Sequence, residues 1–253
     1  MHLTISLQSL FVRRATFVLL FLAILGPLAR AQDEESISVS FYPLSWEGSI
    51  KDLIYFDKGQ RVPLFIPNGA PGSEQSYVGS PQMGFYTERT GPEGEMLYDL
   101  QATVTIPHSV KRLLLVFIPT SAVSNPQQKY KVLALPDPGS NSNFAANAFN
   151  FYNLTGTNMA IRVGDNQFQL SPGRSHVVAL TDNDLKNVDV QMATSTQETT
   201  QWSMIYQSRW ASPKKRRAWV FIYGEPGTTP GIRKYYQLMQ TADTRRTQSR
   251  LQE

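Results

Sequence analysis

The sequence predicts an all-β protein made of two tandem β-sandwich domains behind a leader. Three observations carry that expectation. Apolar stretches are short, rich in β-branched and aromatic residues, and bounded by Gly, Pro, Asn and Asp. They recur at roughly ten-residue spacing, as sandwich strands do. Blocks from the first half of the chain return in the same order in the second.

The leader comes first. "MHLTISLQSLFVRR" carries Arg13 and Arg14 and no acid, and "ATFVLLFLAILGPL" is an apolar run of signal-peptide length. "ARA" then presents small residues to a signal peptidase, so cleavage is expected between Ala31 and Gln32. The run falls short of the ~20 apolar residues of a spanning helix, and Gly26-Pro27 breaks it. No membrane span is expected once the leader is removed. The 253-residue chain holds 24 Lys+Arg against 20 Asp+Glu; the leader takes Arg13, Arg14 and Arg30, leaving 21 against 20. A near-neutral exported chain is not expected to bind nucleic acid, whose affinity comes from phosphate neutralisation. With no Cys there is neither a disulfide nor a thiolate metal ligand, a composition that suits a bacterial envelope protein, periplasmic or extracellular.

Thirteen stretches have strand length and composition: "ISVSFYPL", "RVPLFIP", "DLQATVTI", "RLLLVFIP", "YKVLAL", "AFNFYNL", "NMAIRV", "NQFQL", "SHVVAL", "VDVQMAT", "WSMIYQSRW", "RAWVFIYG" and "KYYQLMQ". "IRVGDNQFQL" reads as a hairpin turning at Gly164-Asp165-Asn166. A helical period is found only weakly, at the C-terminal end.

The repeat sets Met96 and Tyr98 over Met204 and Tyr206, Lys111-Arg112 over Lys215-Arg216, and Val116-Phe117-Ile118 over Val220-Phe221-Ile222. "QKYKVLAL" faces "RKYYQLMQ", and "SFYPLSWEGSIKDLIYFDKGQRVPLFIP" faces "NFYNLTGTNMAIRVGDNQFQLSPGRSHVVAL". The expected organisation is a signal peptide at 1–31, a first sandwich at 32–137, a linker at 138–145, a second sandwich at 146–240 and a disordered tail at 241–253. The sandwiches are expected to be immunoglobulin-like or jelly-roll-like.

Catalytic chemistry is poorly represented. His108 and His176 are the only histidines after the leader and lack ligand spacing. No G-x-S-x-G elbow, P-loop or G-x-G-x-x-G occurs there. Asp52, Asp57, Glu88, Glu93, Glu95 and Asp99 could supply a glycosidase pair, but nothing marks two of them as facing each other. "TDNDLKNVD" could offer Asp182, Asp184 and Asp189 to Ca²⁺ but lacks an EF-hand's Gly and terminal Glu, and reads as an Asx-rich turn. A non-enzyme without cofactor or metal is expected.

Two features point outward. Lys214, Lys215, Arg216 and Arg217 form a basic knot between two apolar strands, matched by Lys111 and Arg112. These are read as solvent-exposed hairpin turns, and as the candidate contacts for an anion or an acidic partner. Trp202 and Trp210 lie eight apart and share a face if their strand is unbroken; they are read first as core residues, with sugar stacking the alternative if they are exposed, and Trp219 belongs in the core.

At "FNFYNLTGTNMAIRVGDNQFQLSPGRS", "MIYQSRW" and "RRAWVFIYG" the chain resembles uncharacterised exported bacterial proteins that share a signal peptide, an F-x-N-x-T/S-G strand-turn, an L-x-P-G turn and a late R-x-W-V-F strand. More loosely, it is similar to accessory periplasmic sandwich proteins of exopolysaccharide acetylation systems. The resemblance implies export and no particular functional residue. The expected function is a non-catalytic envelope module that binds another protein or a structural assembly, by edge pairing among other means. The alternative is a glycan-binding or exopolysaccharide accessory protein; a two-carboxylate hydrolase is the third possibility.

Overall fold

Period-two burial organises the chain into strands. The computed structural model describes residues 36–120, 128–139, 143–181, 187–195, 201–225 and 228–239. The expected leader with its Ala31/Gln32 cleavage point, the expected tail at 241–253, Asp182 and Asp184 lie outside the described residues.

The first half forms β1 (Ile37–Ser45), β2 (Ile50–Asp57), β3 (Gln60–Ile66), β4 (Gln75–Gly79), β5 (Gln82–Thr90), β6 (Met96–Thr105), β7 (Arg112–Pro119) and β8 (Tyr130–Pro136). The second forms β9 (Ala148–Asn153), β10 (Asn158–Val163), β11 (Asn166–Leu170), β12 (Ser175–Ala179), β13 (Asn187–Ser195), β14 (Ser203–Ala211), β15 (Arg216–Tyr223) and β16 (Gly231–Leu238). Among the described residues there is no helix. The fold is all-β, two tandem sandwiches, as the sequence predicts.

Strand order is β4-β1-β7-β8 over β3-β2-β5-β6 in the first sandwich, and β12-β9-β15-β16 over β11-β10-β13-β14 in the second. The two orders match strand for strand. Each sandwich also pairs its first and seventh strands in parallel, β1 with β7 and β9 with β15. The expected hairpin at Gly164 is present, with Val163 opposite Asn166 and Gly164 at φ 58°.

The repeat is therefore real, but its residue alignment slips. Ser40 N–H donates to the Lys111 carbonyl where Asn147 N–H donates to that of Arg216. Arg112 thus corresponds to Arg217, not to Arg216. Likewise "RVPLFI" pairs with β2 as "NQFQL" pairs with β10, so "SHVVA" has its counterpart in β4.

Three cores stack the four sheets into layers. Phe41, Leu113, Leu115 and Phe117 face the outer sheet of the first sandwich, with Leu53, Phe85 and Ala102 opposite. Phe149, Ala218, Val220 and Ile222 face Ile161, Val190 and Trp210 in the second. A third core joins the two sandwiches through Leu44, Trp46, Leu114 and Val116 on one side and Tyr152, Trp219, Phe221 and Tyr235 on the other. The inner sheets are thus buried on both faces, which explains why β7 and β15 are continuous apolar runs rather than alternating ones.

Candidate interaction surface

The basic residues singled out in the sequence sit where the chain crosses from an outer to an inner sheet, β6 to β7 and β14 to β15. They are corners between layers, not hairpin tips. Lys111, Lys214 and Lys215 are exposed, with Lys214 at φ 56° in the turn. Arg216 is exposed and stacks its guanidinium 4.5 Å from the Tyr236 ring centroid. Arg112 donates to Glu74 across 3.1 Å.

Arg217 is different. Its side chain is 2% exposed and makes a two-pronged ion pair with the fully buried Asp137 carboxylate, Nη1 to Oδ1 at 2.9 Å and Nη2 to Oδ2 at 2.7 Å. Nε donates to Gln237 Oε1 at 2.9 Å, and the rings of Phe144, Trp219 and Tyr42 lie 4.6, 5.2 and 5.6 Å away. Asp137 follows β8 of the first sandwich and Arg217 is the second residue of β15 in the second, so the pair fastens one sandwich to the other. The last basic residue of the knot is thus committed to an internal ion pair.

Arg112 and Arg217 do converge on one cleft of about 360 Å³, between the 70–74 loop and the end of β16. Its two cations already face Glu74 and Asp137. Burial and the Glu74 charge raise the Tyr42 pKa, keeping that hydroxyl neutral. The cleft therefore carries little net charge with which to hold an anion.

The other candidates are spoken for as well. His108 is exposed in the β6–β7 corner. His176 is solvent-exposed but stacks 4.1 Å from Phe168, and the partial desolvation of its ring lowers its pKa. Glu88 takes a two-pronged bond from Arg61 that holds its carboxyl below the usual range, opposite to what a general acid needs. Asp99 accepts from Arg89 at 2.8 Å, and Asp57 accepts the Val78 N–H at 2.7 Å. Among the described residues no three His, Asp or Glu side chains form a metal-binding group.

The tryptophans separate because β14 is not regular. Its register against β13 shifts between Met192 and Ala193, which makes Ile205 an extra residue and reverses the facing of what precedes it. Trp210 is 2% exposed with Nε1 donating to Tyr206, whereas Trp202 is 38% exposed. Trp219 is fully buried, in the core between the sandwiches.

A matching bulge occurs in β6, where the register shifts between Phe85 and Tyr86 and Gln101 is the extra residue. It turns Met96, Tyr98 and Leu100 outward, and all three are exposed. This outer face also carries exposed Phe65 and half-buried Phe56 and Tyr86, with Phe56 edge-on to Tyr86 at 5.7 Å and to Tyr98 at 5.2 Å. Beside them a groove of about 540 Å³ has Ile54 and Phe65 in its lining and the Arg61–Glu88 pair at its rim. Gly84 leaves room for the Tyr86 ring, since a Cβ there would lie 2.4 Å from the tyrosine oxygen.

The corresponding face of the second sandwich is mostly polar. Across its strands run Gln167, Arg162, Gln191 and Gln207 in register. Its apolar content is an edge pair, Trp202 and Met204, backed by Ala193, Ala160 and Gln169. Sequence reasoning missed the aromatic face because the bulge inverts the alternation of "MLYDLQATVT"; the consecutive apolar residues of "LIYF" and "PLFI" were the available signal. No known protein family and no curated protein matches this chain.

Proposed function

We propose that this chain is a non-catalytic module of the bacterial cell envelope that binds a protein partner through the outer face of β2, β3, β5 and β6. One observation carries the reading. Two copies of the same fold present equivalent outer faces, one dressed with glutamine and paired charges, the other with an aromatic cluster. A solvated sheet gains nothing from exposed Phe65, Tyr98 and Leu100, and exposed aromatic patches with polar rims are the common form of protein contact surfaces. The rim here is electrically balanced, Arg61 with Glu88 and Arg89 with Asp99. A matching partner therefore offers apolar side chains with a neutral border. Export is supported by the leader pattern and the absence of Cys.

Site-specific photocrosslinking in producing cells tests this. A photoreactive residue at Phe65 is expected to give a discrete adduct with a different protein, and one at Gln167 or Gln207 none. Equal labelling from both faces, or none from either, would overturn the reading. Salt-sensitive co-sedimentation with envelope polysaccharide, lost when Lys214, Lys215 and Arg216 become Ser, would establish the glycan alternative instead.

A further inference from the structure

The free strand edges carry a second message. Edge strands expose unpaired N–H and C=O groups, and folded proteins guard them with Lys, Arg, Pro or short length. Most edges of this protein are guarded. β3 holds Arg61 and Pro63, and β8 holds Lys131 and Pro136. β14 has Arg209, and β16 has Arg233 and Lys234. β4, β11 and β12 are only 5 residues long. Among the described edges β6 is the exception, 10 residues of "MLYDLQATVT" without Lys, Arg or Pro.

Only part of that edge is regular and uncovered. Gln101 bulges, and Thr103 Oγ1 accepts from Gln128 Nε2 at 3.2 Å, so the C-terminal half lies against the start of β8. Met96 to Leu100 remains. Its single charge, Asp99, is matched by Arg89 at 2.8 Å, and its outward residues Met96, Tyr98 and Leu100 are 53%, 42% and 37% exposed. A strand added here must carry no unmatched charge and be apolar at alternate positions, or it would set an unpaired charge beside the aromatic row.

Among the described edges β4, β11 and β12 also lack unmatched charge but are only 5 residues long, so the long edge that meets that description is β6 itself. We infer that two copies of this chain pair antiparallel through β6 about a two-fold axis at Tyr98. In that register Met96 lies opposite the second copy's Leu100, and Tyr98 opposite its own counterpart. Leu97 meets Asp99, so no like charges confront each other. Antiparallel pairing places partners on the same face, and an isologous contact needs only self-complementarity. The two outer sheets become one continuous sheet, and the aromatic faces lie side by side. The pairing rests on the β6 edge, not on the partner proposed above, and each can fail alone.

Sedimentation of the leader-free chain from about 1 to 100 µM is expected to show a monomer–dimer equilibrium. Tyr98→Lys sets two ammonium groups across the axis and should weaken the dimer at least about tenfold while the monomer keeps the strand content of the natural chain by circular dichroism. The chain has no Cys, so Tyr98→Cys provides a unique thiol. Paired Cα atoms about 4.5–5.5 Å apart lie within disulfide reach, so mild oxidation should give a covalent dimer, whereas Gln207→Cys on β14 should not. A chain that stays monomeric at about 100 µM, and whose Tyr98→Cys variant fails to crosslink, would overturn the inference, as would a dimer indifferent to Tyr98→Lys. Neither result bears on photocrosslinking to a different protein at Phe65.

Discussion

Replacing Asp137 with Ala should cost more stability than any loop substitution in the molecule. The change strips the Arg217 guanidinium of its partners at 2.9 and 2.7 Å, in a place where the side chain is 2% exposed. What remains is the Gln237 bond at 2.9 Å and a long contact to the Phe144 carbonyl at 3.4 Å. Orphaning one member of a buried pair costs ~3–5 kcal/mol. Asp137 also accepts the Gly139 N–H at 2.9 Å, whose loss adds ~1 kcal/mol. The ring contacts of Phe144 and Trp219 survive the substitution and offset ~1 kcal/mol of the cation's isolation. The net expectation is ~4 kcal/mol, a lowering of Tm by roughly 8–16 °C for a chain of this size. Urea unfolding followed by tryptophan fluorescence reads it, since Trp219 lies in the same core. A loss below ~1 kcal/mol would mean that the guanidinium had found water or another acceptor and that the pair is not a buried one. Replacing both partners, Asp137→Leu with Arg217→Met, should recover most of the stability, since an apolar pair carries no stranded charge.

The basic knot should divide under mutation. Lys214→Ser with Lys215→Ser is expected to stay within ~0.5 kcal/mol of the natural chain, while Arg217→Ser alone should cost ~3–5 kcal/mol by the same urea assay. Equal effects would mean that the four residues act as one surface cluster. His176, solvent-exposed but stacked on Phe168, should add a small acid sensitivity to the second sandwich. Partial desolvation against Phe168 lowers its pKa, so folding favours the neutral ring. Its contribution is full above about pH 6.5, the unfolded value, and is lost as pH falls through the lower folded value. The urea midpoint should therefore drop between about pH 7.5 and pH 5.5, and drop less in His176→Gln. An unchanged slope in that variant would assign the sensitivity elsewhere.

Strand chemistry is legible in the sequence and strand facing is not. The apolar stretches picked out by composition fall on strands, yet β4 goes unnoticed because "QSYVG" is short and set among Gly, Pro and Ser. β2 shows only as part of the repeat. Residue matching in the repeat fails for a physical reason. "LLLVFIP" and "RAWVFIY" are apolar at nearly every position, so sequence similarity cannot choose between two alignments one residue apart, although that slip exchanges the faces. Similarity sets Val116 over Val220, yet Val116 lies between the sandwiches and Val220 inside the second one. Arg217 is misplaced by the same slip. Its neighbours in sequence are solvated lysines, and its partner Asp137 lies 80 residues away in the expected first domain.

The double-sided burial of β7 and β15 also bears on the segment expected to be a linker. A flexible linker would leave the sandwiches free to turn, with polar inner faces. Instead Asp137 and Phe144, at the segment's margins, are buried, and Phe144 packs edge-on to Trp219 at 4.7 Å. Further along the interface Arg233 donates to the Trp46 carbonyl and lies 4.5 Å from its ring, and Tyr152 donates to the Pro136 carbonyl. Rotating one sandwich against the other would break a buried ion pair and expose an aromatic core, at a cost comparable to unfolding. The four sheets therefore behave as one block, with two inner layers given to cohesion and two outer faces left for solvent or partners. On that block a contact surface confined to β2, β3, β5 and β6 has a fixed orientation, and a partner bound there would be held rigidly rather than on a tether.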